Sequence, residues 1–271
     1  MPNTLTDNLV ALWEFREASG AAVADLSALG KTLTLTNGPT RVTGPTVPME
    51  VLPAVDFDGT NDYGTSNAGA KLRDGSTNDL SFVAWLRIDA TGRNDFVCWK
   101  NLTGDENDVS FYVNAATKLE ARFVIAATGD VVATGGTVLS IDTWYHVAVT
   151  KSADVWTIYL NGVSDGTGSA DDTLSFHDSD VLWVGSNHDI AFAPIASQNL
   201  NGKLAQVGIW NRALTATEVR ILSNTGAVFA GTPYTTSDNV LSSILTPPNV
   251  NPLRVIKDLY PYPQYTRART L

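Results

Sequence analysis

Through the first 230 residues, short runs of Val, Ile, Thr and aromatic residues recur, each closed by Gly, Asn, Asp or Pro. Short runs of this kind between turn formers read as strands, and many of them at close spacing read as an all-β sandwich. The predicted strands are 9–15, 54–57, 80–88, 96–99, 109–113, 119–126, 144–150, 155–160, 181–184 and 205–210. In 80–88, Phe82, Ala84, Leu86 and Ile88 share one face and Val83, Trp85 and Arg87 the other, so both faces are largely apolar, as in a central strand. Asn161-Gly162 after Trp156-Thr157-Ile158-Tyr159-Leu160 predicts a hairpin, because both turn positions tolerate positive φ. A single helix is expected. Thr215-Ala216-Thr217-Glu218 is a capping box, and Val219, Ile221 and Leu222 give it a short apolar face.

The pattern stops near Gly231. Residues 231–271 hold six of the twelve prolines and four of the eight tyrosines. Proline lacks an amide donor and fixes φ, so this stretch reads as an extended arm rather than a helix or central strand. Its charge also reverses: residues 1–230 carry a net −12 and residues 231–271 a net +2. Val255, Ile256, Leu259 and the tyrosines are too apolar for a solvated linker, so the arm is expected to order against its own body or a neighbouring chain, and a neighbour is preferred. The expected division is therefore 1–230 as the sandwich and 231–271 as the arm, with Arg254, Lys257, Tyr260, Tyr262, Tyr265, Arg267 and Arg269 as its assembly contacts.

Composition excludes several classes. The net charge of −10 opposes general binding to nucleic acid. No apolar run approaches the ~18 residues that span a bilayer, so no membrane partner is expected. The start, Met1-Pro2-Asn3-Thr4-Leu5-Thr6-Asp7, shows no basic segment followed by an apolar one, and synthesis in a cytoplasm is expected. The single cysteine, Cys98, precludes an internal disulfide and, flanked by Val97 and Trp99, reads as a buried core residue.

Several segments in order then match a known pattern: Val55-Asp56-Phe57-Asp58-Gly59-Thr60-Asn61-Asp62-Tyr63, Leu80-Ser81-Phe82-Val83-Ala84-Trp85-Leu86, Thr143-Trp144-Tyr145-His146-Val147, Ile158-Tyr159-Leu160-Asn161-Gly162, Leu182-Trp183-Val184-Gly185 and the run from Leu200 to Thr215. The series resembles the laminin G-like, concanavalin A-like lectin/glucanase superfamily over roughly residues 8–225. The resemblance implies a jelly roll of two antiparallel sheets. It implies less about activity, since the scaffold hosts lectins, hydrolases, adhesion modules and virion proteins. Trp85, Trp144 and Tyr159 read as core aromatics, and His146 as a hydrogen-bonded structural histidine.

The chemistry is sparse. Hydrolases resembling this fold carry a Glu-x-Asp-x-(x)-Glu run, so that two carboxylates share one strand face. Here Asp105-Glu106-Asn107-Asp108 starts such a run, but Ser110 and Phe111 occupy its closing positions, and it reads as a loop. There is no Gly-x-Ser-x-Gly elbow, and Gly166-Thr167-Gly168-Ser169 lacks a phosphate-binding lysine. His177 and His188 fall among loop residues, with a zinc pair the lesser reading. Asp58, Asn61 and Asp62 lie where relatives often bind calcium, but those relatives also place an acidic pair where this chain has Ala205-Gln206, so turn formation is the preferred reading. No catalytic residue, metal or cofactor is expected. For a sugar platform, Trp183, Trp210, Trp99 and Phe192 are candidates, with core membership the default reading for each.

Three functions remain open. The first is a non-enzymatic structural protein of a bacteriophage virion, made in the host cytoplasm. Its jelly roll would face outward and its arm would bind capsid or tail subunits or further copies of itself in a homo-oligomer, with capsid decoration ahead of tail attachment. The second is a carbohydrate-binding module or adhesin for cell-surface glycans, which can coexist with the first. The third is a glycoside hydrolase or lyase.

Overall fold

In a computed structural model of the chain, residues 4–48, 50–68, 79–100, 108–125, 129–169, 181–188 and 193–225 are described. All but Thr4 belong to one unit, Leu5–Gly231. The strands in chain order are β1 Leu9–Trp13, β2 Ala22–Val23, β3 Leu33–Thr36, β4 Thr40–Thr46, β5 Val51–Asp58, β6 Tyr63–Ser66, β7 Leu80–Ile88 and β8 Asn94–Lys100. There follow β9 Asp108–Val113, β10 Leu119–Ile125, β11 Gly129–Thr134, β12 Tyr145–Ser152, β13 Val155–Leu160, β14 Val163–Ser169, β15 Val181–Val184, β16 Asn201–Trp210 and the helix α1 Ala216–Thr225. One sheet has the order β14-β13-β12-β7-β16-β5-β4, with β1 also paired to β16, and the other β11-β10-β9-β8-β15-β6-β3-β2. Neighbours run antiparallel throughout. This is the two-sheet jelly-roll sandwich.

Alternation along the strands builds the core. Phe82, Ala84, Leu86 and Ile88 of β7, Val147 and Val149 of β12, and Leu204, Val207 and Ile209 of β16 meet Phe96 and Trp99 of β8, Val109, Phe111 and Val113 of β9, and Leu182 and Val184 of β15. Removing these side chains from water is the main favourable contribution to folding. A smaller apolar cluster of Val47, Leu52, Ala54 and Ala205 lies apart from this core, and Trp85 and Trp144 pack against it while only partly buried. The two tryptophans expected in the core therefore belong to a satellite. Tyr159 is buried as expected.

Strand β16 begins at Asn201, four residues earlier than expected. In place, Gly202 lies opposite Phe57 of β5 and Ile88 of β7, where an added Cβ would collide with the backbone of Arg87 and Ile88. A bulge between Ala205 and Gly208, with Gln206 at φ 49°, then lets the same strand exchange β5 for β1.

Polar strands were not anticipated. Strand β14, with the sequence VSDGTGS, is held because Asp165 accepts bonds from Gly136 N at its carbonyl (2.8 Å) and from Thr137 Oγ1 at Oδ1 (2.5 Å), joining it to the segment after β11. The helix forms as its capping box dictates: Thr215 Oγ1 accepts from Glu218 N (3.2 Å), and Glu218 Oε2 accepts from Thr215 N (2.7 Å). The Glu218 carboxylate also takes a forked pair of bonds from Arg212, at 3.0 and 2.7 Å, in a buried position.

Candidate functional site

Because Leu33, Leu35, Leu182, Val184, Trp99, Val109, Phe111 and Ala121 of the second sheet face the core, the residues between them face outward. Cross-strand pairing lines these up in one row: Thr34 on β3, Thr65 on β6, Trp183 on β15, Cys98 on β8, Ser110 on β9 and Arg122 on β10. The row is hydroxyl-rich and open at one end. Toward the other end it is buried and networked at Cys98 and Ser110.

At the open end is a groove of about 480 Å³ lined by Gly30, Thr32, Thr34, Thr65, Ser66, Asn67 and Val181. Thr32, Thr34 and Asn67 are exposed and Thr65 half-buried. Two residues along β6 from Thr65, on the same face, stands Tyr63, whose ring stacks on Trp183 with centroids 4.3 Å apart. This is the diagonal contact that antiparallel neighbours allow. Trp183 lies beneath, 2% exposed, with the His188 ring 4.7 Å away on its other contact, so the half-buried Tyr63 is the aromatic at the surface.

The loop before β3 is held by one carboxylate. Asp25 accepts from Leu12 N and Ser27 N at Oδ1 (2.9 and 2.8 Å) and from Lys31 N and Ser27 Oγ at Oδ2 (2.6 Å each). Lys31 O in turn accepts from Trp13 Nε1 (2.8 Å) and from Ser66 Oγ (3.3 Å). One side of the groove, Gly30 to Thr32, is thus fastened to its floor before any ligand arrives.

The closed end is a polar network. Cys98 Sγ donates to Asn187 Oδ1 (3.0 Å), and Asn187 Nδ2 to Ser110 Oγ (3.4 Å). Cys98 is buried as expected but sits in this outward network, outside the apolar core where its flanks had placed it. Arg93 grips both oxygens of the fully buried Asp95 (2.7 and 2.9 Å) and lies 4.1 Å over the Tyr112 ring. Burial lifts the Asp95 carboxyl above the usual carboxylate range, against the opposing pull of Arg93. Burial and the bond to Glu120 raise the Tyr112 phenol. With both oxygens committed to Arg93, Asp95 is poorly disposed to serve a sugar as acid or nucleophile.

The remaining candidates distribute as follows. Trp99 is in the core, and Trp210 is buried with its Nε1 donating to Leu5 O (2.7 Å), so neither forms a platform; Phe192 lies outside the described residues. Asp58 Oδ1 accepts from Thr60 N (2.7 Å) and Asp62 Oδ2 from Asp58 N (3.2 Å), the bonds of a turn, and burial lifts the Asp62 carboxyl. Among the described residues no three His, Cys, Asp or Glu side chains gather as metal ligands. His177, residues 105–107 and the whole arm with Arg254, Lys257, Tyr260, Tyr262, Tyr265, Arg267 and Arg269 lie outside the described residues. His146 is fully buried, but neither ring nitrogen has a hydrogen-bond partner among the described residues, contrary to the hydrogen-bonded role expected of it. Thr34, Thr65 and Tyr63 escaped sequence reasoning, because isolated threonines on alternating positions resemble any solvated strand face.

Comparison with known proteins agrees with this architecture. The laminin G-type family described as the Concanavalin A-like lectin/glucanases superfamily matches residues 58–220. Among solved structures, the binding domain of Paraclostridial Mosquitocidal Protein 1 is similar at 18% identity and a TM-score of 0.59, over 82% of this chain and 53% of that one. Domain 4 of AbnA, an extracellular arabinanase from Geobacillus stearothermophilus, in complex with arabinotriose, is similar at 15% identity and a TM-score of 0.59, over 80% of this chain and 98% of that one. Botulinum neurotoxin type C, in a structure whose subject is cell entry through two ganglioside molecules, is similar at 13% identity and a TM-score of 0.60, over 81% of this chain and 51% of that one. The chain thus spans about half the length of the two toxin structures. No curated protein sequence matches it.

Proposed function

The chain belongs to the Concanavalin A-like lectin/glucanases superfamily, and on that premise we propose that its sandwich is a non-enzymatic module that binds a glycan in the groove on the outer face of the second sheet. One observation carries the reading: the hydroxyls of Thr32, Thr34, Thr65 and Ser66 and the amide of Asn67 line one groove, next to Tyr63 stacked on Trp183. Sugar hydroxyls are donors and acceptors at once, so threonine hydroxyls and an amide match them, while the apolar C–H face of a sugar ring packs on an aromatic. The arabinotriose complex of AbnA domain 4 supports the reading as an example of this fold holding a neutral oligosaccharide.

A glycan array followed by calorimetry tests it. Thr34→Ala with Thr65→Ala, both at accessible positions, is expected to weaken a captured glycan by at least about tenfold, from two lost hydrogen bonds of about 1 kcal/mol each. Array silence, undiminished affinity in the double variant, or release of reducing sugar from a bound oligosaccharide would each defeat the proposal.

A second reading concerns residues 231–271 and rests on their composition: proline and tyrosine enrichment and a net charge opposite to that of the body. We propose that this arm attaches the module to neighbouring subunits of a larger assembly, a bacteriophage virion in which the acidic jelly roll decorates the capsid or tail. An extended arm gains affinity from contacts distributed along a neighbour and from the high effective concentration inside an assembly.

A further inference from the structure

We infer that the groove selects uncharged glycans and discriminates against sialylated, sulfated or phosphorylated ones, an inference that rests on the glycan reading above. A carboxylate or sulfate that leaves water for a protein groove needs a cation or several converging N–H donors in exchange. The described lining residues carry no charge; Lys31, between the lining residues Gly30 and Thr32, is not one of them, and its amide and carbonyl are taken by Asp25 and Ser66. A set of converging backbone amides beside the groove is already taken: Leu12 of β1 and Ser27 and Lys31 of the loop leading into the groove all donate to the Asp25 carboxylate, an anion supplied by the chain itself. Ser66 Oγ, in the groove floor, is committed to Lys31 O as a donor. The body around the groove adds a net charge of −12 over residues 1–230, which lowers the local concentration of any anionic ligand. Selection of this kind comes from an unfavourable term for the wrong ligand as much as from contacts with the right one.

The test uses the full chain on an array of neutral oligosaccharides printed beside the sialylated and sulfated forms of the same cores, read at low and high salt, with wild type, Thr34→Ala/Thr65→Ala and Asn67→Arg. Wild type is expected to bind the neutral member of a pair at least about tenfold tighter, with the preference narrowing at high salt as the repulsion is screened. Asn67→Arg places a cation at an exposed lining position and is expected to narrow the preference further by recruiting the charged member. A charged member bound as tightly as its neutral partner, or tighter, overturns the inference; if that binding is also lost in the threonine variant, the glycan reading itself survives. Silence toward both members of every pair removes the glycan reading and the inference together.

Discussion

His146 shows how a residue's surroundings outweigh its type. Its apolar flanks made burial legible in the sequence, but whether the ring finds a partner depends on β7, where Trp85 lies opposite it and meets it edge-on with centroids 5.3 Å apart. Burial alone lowers its pKa from 6.5 to about 3. Above pH 6.5 the imidazole is neutral in both folded and unfolded chains. Between about 6.5 and 3 the unfolded chain takes up a proton that the folded chain refuses, so this residue's contribution to stability falls as the pH falls, by about 1.4 kcal/mol per unit. The raised carboxyls of Asp62 and Asp95 act in the opposite sense, since the folded state protonates them first, but they are common to wild type and variant. His146→Phe should therefore flatten the pH dependence of the urea-unfolding free energy between pH 6.5 and 4.5 by about 2–3 kcal/mol. Equal slopes in the two proteins would show that the ring finds a partner or water in the folded state. Cys98 carries the same lesson: its burial was legible, but its place in a polar network with Asn187 and Ser110 was not.

At the scale of elements, strands that bury large side chains were legible, and polar strands were not. Strands β7, β12 and β13 carry their own signal in alternating Val, Ile, Leu and aromatics. Strands β4, β6 and β14 are rich in Thr, Ser, Gly and Asp and exist because a neighbouring strand offers them a ladder. The β13–β14 turn was legible as a hairpin, with Asn161 at φ 49° and Gly162 at φ 80°. Its tertiary role was not: an added Cβ at Gly162 would run into Ser223 Oγ and the Cα of Arg220, so the turn also docks α1. Gly162→Ala should cost at least about 1–2 kcal/mol from left-handed backbone strain, with the collision added to it. Val163→Ala next to it, at a site 68% exposed, should change stability by no more than about 0.5 kcal/mol. Chemical denaturation of both measures the contrast, and equal midpoints would refute the docking role.

At the scale of the whole molecule, the body and the arm call for separate tests. A chain ending at Gly231 should keep the thermal midpoint and glycan affinity of the full protein while losing its assembly mass in light scattering; retention of the full oligomeric mass would refute anchoring by residues 232–271. The capped helix, the strands of alternating large apolar side chains and the Asn-Gly turn of the body were determined by the sequence itself, because side-chain periodicity and turn conformation are local properties. The groove was decided only in three dimensions. Thr34, Thr65 and Trp183 lie on three strands, the last more than a hundred residues along the chain from the other two, and antiparallel register alone sets them side by side. A threonine on a polar strand face has no distinguishing local property; it becomes part of a site when β6 pairs with β3 on one side and β15 on the other, and when Asp25 fixes the loop that forms the groove's wall.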